Sequence, residues 1–137
     1  MTKMNTLSED KEIPLITFNS LYNVLREEKK NNLLTTLPED FYSSLKKFLG
    51  EKKKEVHKLK SQGSEREKLR KEMNIFKNSQ KISKELISLR LIKISQIAIK
   101  NGVYSEVILN KENLLSPEEE IFKKIEKISK SVYEEIK

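Results

Sequence analysis

The stretch Ile82-Ser83-Lys84-Glu85-Leu86-Ile87-Ser88-Leu89-Arg90-Leu91-Ile92-Lys93-Ile94-Ser95-Gln96-Ile97-Ala98-Ile99 decides the fold class. It holds no Gly and no Pro. Wound at 3.6 residues per turn, its apolar residues at 82, 86, 87, 89, 91, 92, 94, 97, 98 and 99 cover most of the circumference. A helix apolar on nearly every side is buried, in its own domain or in a complex.

Outward from that helix, further helical segments appear on both sides. Toward the C-terminus, Asn101-Gly102 reads as its stop and Val103 to Leu109 as a loop or short extended piece. Ser116-Pro117-Glu118-Glu119 then opens a last helix, with Ser116 as N-cap and Pro at the first helical position. Ile121, Ile125, Ile128, Val132 and Ile136 form its stripe, extended by Phe122 and Tyr133. Toward the N-terminus, Leu69, Met73 and Phe76 precede a weak point at Asn78-Ser79-Gln80. Gly63 suits a left-handed position after a helix end, and Ser64 with Glu67 makes a capping box.

A long helix before that turn begins near Pro38, from a Thr36/Glu39 capping box. Its stripe is Phe41, Leu45, Phe48/Leu49, Val56 and Leu59, and Gly50 inside it costs about 1 kcal/mol relative to Ala and allows a kink. Leu33 to Leu37 is an extended connector. A first helix follows Thr17, with Phe18, Leu21, Tyr22 and Leu25 on one face and a charged end from Arg26 to Lys30. Residues 1–16 form a loose lead-in, and 17–137 make one all-α domain, a four- to five-helix bundle with long helices.

Composition removes most chemistry. No Cys excludes disulfides, thiolate nucleophiles and zinc–cysteine sites, and one His (His57) cannot build a two- or three-His metal site. Gly50, Gly63 and Gly102 are too scattered for a phosphate-cradling loop. The acidic pairs Glu9/Asp10, Glu39/Asp40 and Glu134/Glu135, and the run Glu118 to Glu120, diverge by ~100° per residue on a helix and suit helix starts better than an ion. His57 lies on a polar face. No residue set proposes a reaction, and no catalytic residue, cofactor or metal is expected. No apolar run approaches the ~20 residues of a membrane span, and Met1 to Glu12 lacks a signal-peptide core, so a cytoplasmic protein is expected.

The net charge of +7 is local. Residues 46–71 hold eleven Lys/Arg against four Glu, leaving 17 basic and 17 acidic residues elsewhere. Two readings compete for this helix–turn–helix tip. It is a solvated face with interleaved Glu, or Lys52, Lys53, Lys54, Lys58, Lys60, Arg66, Lys68, Arg70 and Lys71 contact nucleic acid. The only aromatic in the stretch is Phe48, so any DNA contact is weak and non-specific. On the helix from Pro38, Phe41, Leu45 and Phe48 follow an i, i+4, i+7 stripe suited to the bundle's own core, while Tyr42 and Leu49 form a flanking strip. One of these two strips is expected to face another subunit.

The segment Thr17-Phe18-Asn19-Ser20-Leu21-Tyr22-Asn23-Val24-Leu25-Arg26-Glu27-Glu28-Lys29, followed by Leu37-Pro38-Glu39-Asp40-Phe41-Tyr42, resembles the opening of archaeal GINS subunits. Leu86 to Ile94 and Leu115 to Ile125 resemble the same family, and the likeness spans residues ~17–136 by order and spacing rather than one unique motif. The resemblance implies a non-catalytic DNA-replication factor that scaffolds the MCM helicase with a RecJ-like partner, with primase as a further contact. It implies a nucleoid-associated 2:2 heterotetramer with a second GINS subunit class. Helices at the N-terminus are similar to the Sld/Psf-like class, whose β domain follows. This sequence stops at Lys137, where that domain would begin, so a C-terminal β domain is expected to be absent.

Overall fold

A computed structural model describes residues 16–63, 65–105 and 113–137. Among these the chain is four α-helices and no strand: α1 Phe18–Lys30, α2 Phe41–Ser61, α3 Arg66–Tyr104 and α4 Ser116–Ile136. The all-α reading holds. The expected lead-in, the Ser64/Glu67 box and most of the segment after Val103 lie outside the described residues.

The helix ends follow local chemistry, with instructive departures. Thr17 caps α1 as expected: its Oγ1 accepts the Ser20 N–H at 3.0 Å, while Ser20 Oγ accepts the Thr17 N–H at 2.8 Å. The box foreseen at Thr36 and Glu39 does not form. α2 begins later, from Asp40 without a side-chain cap, because the two groups are engaged elsewhere. The Thr36 hydroxyl donates to Asn113 Oδ1 at 3.1 Å, and the Glu39 carboxylate accepts the Ser116 N–H and hydroxyl. Gly63 takes the left-handed conformation (φ 63°), and its N–H closes the last turn of α2 on the Lys60 carbonyl at 3.3 Å.

α3 runs unbroken for 39 residues through Asn78-Ser79-Gln80. Ser79 and Ser83, both buried, satisfy their hydroxyls on the carbonyls of Ile75 and Ser79 at 2.7 and 2.8 Å, so the helix needs no break there. Nor does Gly102 stop it. α3 continues to Tyr104, and Ser105 supplies the left-handed residue (φ 56°). Gly102 is instead a packing residue: a Cβ there would lie 2.5 Å from the Glu126 carbonyl oxygen and 2.9 Å from Ser129 Cβ. The backbones of α3 and α4 approach too closely at this point for any side chain.

Two compact units divide the chain. One comprises Met1–Asn23 and Asp40–Ser83, and its buried apolar residues include Leu21, Phe41, Leu45, Phe48, Val56, Leu59 and Ile82. The other comprises Val24–Glu39 and Lys84–Lys137, with Leu34, Ile94, Ala98, Leu114 and Phe122 packed as a core flanked by Leu91, Ile97 and Ile125. Within it α3 buries an i, i+4 row of Leu86, Arg90, Ile94, Ala98 and Gly102, while Ile92 and Ile99 remain about half exposed.

Two glycines therefore respond oppositely to alanine. At Gly50 an added Cβ meets nothing within 4 Å, and Gly50→Ala is expected to stabilise by about 0.5–1 kcal/mol. Gly102→Ala must push α4 from α3 and is expected to destabilise by ~1–3 kcal/mol. Urea midpoints followed by circular dichroism separate the two. A gain in stability at Gly102 would refute the close approach.

Candidate functional site: a buried ionic node and an uncovered helix face

Arg90 is the largest fully buried side chain among the described residues, and it occupies the middle of an apolar row. An unpaired guanidinium there would be prohibitive. Every one of its five N–H groups has an acceptor. Nε and Nη2 grip the Glu118 carboxylate in a two-point fork at 2.7 and 2.8 Å. Nη1 donates to Glu28 Oε1 at 2.8 Å and to the Thr35 carbonyl at 3.0 Å, and Nη2 also reaches the Asn113 carbonyl at 3.1 Å. The second cation, Lys93, donates to Glu28 Oε2 and the Glu28 carbonyl, both at 2.6 Å, and to the Leu33 carbonyl at 3.1 Å. Two cations and two carboxylates make a formally neutral cluster.

The carboxylates are held just as fully. Glu28 accepts the Thr35 hydroxyl at 2.6 Å and the Thr35 N–H at 3.3 Å. Glu118 Oε1 accepts the Leu115 N–H at 3.0 Å, which makes Leu115 the N-cap of α4 and puts Ser116 inside its first turn. That start lies one residue before the sequence expectation, because Glu118 rather than Ser116 supplies the capping contact. Burial pushes the Glu28 carboxyl up, but the hydrogen bonds from Lys93, Thr35 and Arg90 outweigh it and leave the group below the ordinary carboxylate range. Burial also pulls the Arg90 guanidinium down, and Glu118 and Glu28 more than offset this, so it ends above its ordinary value. All four groups are committed to one another and to backbone, an arrangement that positions helices.

A second feature lies on α4. Phe122 enters the core and Ile125 packs against it, but the stripe then leaves the core. Ile128 (64 % exposed), Val132 (58 %), Tyr133 (40 %) and Ile136 (76 %) all show surface, as does Ile121. The sequence reads one continuous stripe, and the structure covers only its beginning. Beside Ile128 and Val132 runs a shallow groove lined also by Lys124, Lys127, Ser131 and Glu135.

The residues singled out from sequence fall elsewhere. Phe41, Leu45 and Phe48 are buried in the unit containing α2, while Tyr42 and Leu49 are half-buried beside them. The Phe41 and Tyr42 rings meet edge-on with centroids 5.8 Å apart. Lys53, Lys54, Lys58, Lys60, Arg66, Lys68, Arg70 and Lys71 are exposed, and half-buried Lys52 lies over the Phe48 ring at 5.8 Å. His57 is exposed. Among the described residues no group of three or more acidic or His side chains could hold a metal, and no helix is long and apolar enough to cross a membrane. Sequence reasoning missed Arg90 and its partners. The available signal was a cation four residues from both Leu86 and Ile94, in step with a buried row. No family model, curated protein or solved structure matches the chain.

Two outcomes follow from the node. Arg90→Leu deprives buried Glu118 of the guanidinium that grips it and leaves Glu28 with Lys93 as its cation, and is expected to cost ~3–5 kcal/mol, measured by denaturant unfolding. Glu28 has a folded pKa below its unfolded one, so it contributes stability above the unfolded value that is lost as pH falls through the folded value. Stability should therefore rise with pH across the acid carboxylate range, and Glu28→Gln should flatten that limb as well as lower the plateau. An unchanged acid limb would remove Glu28 from the account.

Proposed function

We infer that the chain is a non-catalytic assembly subunit of GINS type, which scaffolds the replicative MCM helicase with a RecJ-like partner in DNA replication. The observation that carries its assembly role is the row Ile128, Val132, Tyr133 and Ile136, four large apolar side chains exposed on one helix. Clustered exposed apolar surface of this kind marks interaction faces. The buried node at the start of the same helix supports the family reading in a second way. Glu28, Arg90 and Glu118 each come from a different one of the segments that resemble GINS subunits, and the three side chains meet. In this reading the half-buried strip of Tyr42 and Leu49 faces the second subunit class in a 2:2 heterotetramer, and primase is a further partner at the replication fork.

A second reading rests on the basic tip. Its nine candidate cations crowd the end of α2 and the start of α3, eight of them exposed. Such a surface holds phosphates with an affinity that falls steeply in salt and reads no sequence. Co-expression decides between the readings. The chain produced together with a subunit of the other class is expected to co-purify as a defined complex, and Tyr42→Ala with Leu49→Ala should weaken that complex before they lower helicity. Failure to co-purify, together with tight salt-sensitive DNA binding lost when Lys52, Lys53, Lys54 and Lys58 become Glu, would favour the second reading.

A further inference from the structure

The groove on α4 is lined by Lys124, Lys127, Ile128, Ser131, Val132 and Glu135. These six positions have an internal symmetry. Turn a second α4 end for end about an axis between residues 129 and 130, and each lining position falls on another of the six. Lys124 comes opposite Glu135 and Ile128 opposite Ser131. Lys127 and Val132 are level but on opposite flanks, so that Val132 adjoins Ile128 of the other copy and Lys127 adjoins its Ser131. Each contact is chemically favourable: opposite charges at both ends, an isoleucine beside a valine, a large side chain over a small one, and a lysine stem along a serine. A surface that complements itself under a two-fold rotation is what an isologous dimer requires.

We propose that this face is a homodimer interface, with the α4 helices of two copies packed antiparallel through residues 124–135. The proposal rests on the reading of α4 as an assembly face and names its occupant as a second copy of this chain. The charge order chooses the direction. Parallel packing would set Lys124 against Lys124 and Glu135 against Glu135, whereas antiparallel packing forms the Lys124–Glu135 pair twice. The same-helix contact that Lys124 makes with Glu120, 3.4 Å long and exposed, is weak enough to yield. The apolar centre, Ile128 and Val132, is 64 % and 58 % exposed in the single chain and is covered in the pair.

The absence of native cysteine makes cross-linking a clean readout. Lys124→Cys and Glu135→Cys are each prepared in the whole chain, oxidised alone, and oxidised as an equimolar mixture. Copies of residue 124 would lie ~16 Å apart along the helix axes, beyond disulfide reach, whereas residue 124 of one copy is level with residue 135 of the other. The mixture is expected to cross-link and the separate variants are not. Sedimentation supplies the second measurement: Lys124→Glu should weaken the dimer roughly tenfold or more, and Lys124→Glu with Glu135→Lys should restore it. All of these positions are exposed, so folding is not at stake. A monomeric chain, self-cross-linking of either single variant, or failure of the charge swap to restore the dimer overturns the proposal. The GINS reading fails separately, on the absence of the hetero-complex: a hetero-complex without α4 cross-linking leaves that reading standing and removes this one.

Discussion

A guanidinium inside an apolar helix row constrains everything around it. Removing Arg90 and its partners from water costs several kcal/mol per ion, and only near-complete hydrogen bonding makes that tolerable. The cost explains why so many unrelated pieces converge on one spot. The end of α1 brings Glu28, the connector brings a Thr35 carbonyl, the loop before α4 brings an Asn113 carbonyl, and the first turn of α4 brings Glu118. An ionic node of this kind adds no more stability than an apolar plug of the same volume, but it tolerates very few alternative arrangements. Leu34, Ile94, Ala98, Leu114 and Phe122 could slide past one another with modest loss; the five N–H vectors of Arg90 could not.

Much of the architecture was legible in the residues. Thr17 and Gly63 marked helix ends because each has one local role there, a side-chain acceptor or a left-handed backbone. Phe41, Leu45, Phe48, Val56 and Leu59 went inward as their spacing implied. The failures share a cause, which is that tertiary partners outbid local ones. Thr36 and Glu39 had the right spacing for a capping box, but Asn113 and Ser116 took their hydrogen bonds. Ser79 looked like a helix breaker until its hydroxyl found its own helix. Gly102 looked like a stop, since a sequence does not reveal that another helix will pass within a methyl's width.

The site was less legible than the fold. Glu28 sits among charges at the end of α1 and reads as surface, and Glu118 reads as a helix-dipole residue; neither spelling announces burial. The apolar circumference of α3 concealed Arg90 further, since a single cation in such company resembles an exposed flank. The α4 stripe was visible from sequence, but periodicity tells which side of a helix is apolar and not how far along it the core extends. Beyond Ile125 the apolar stripe leaves the core, although α3 still packs on α4 at Ser129, and the same pattern changes from core to surface.

The order in which the chain is synthesised gives the node a temporal dimension. Glu28 lies 62 residues before Arg90, and Glu118 lies 28 residues after it. Translation at about 5–20 residues per second leaves a few seconds in which α3 exists without α4. During that interval Arg90 can meet Glu28 but lacks the carboxylate that satisfies its Nε, so burying it is premature. Closure waits for α4, so an element made after α3 is the one that lets α1 be sealed against it.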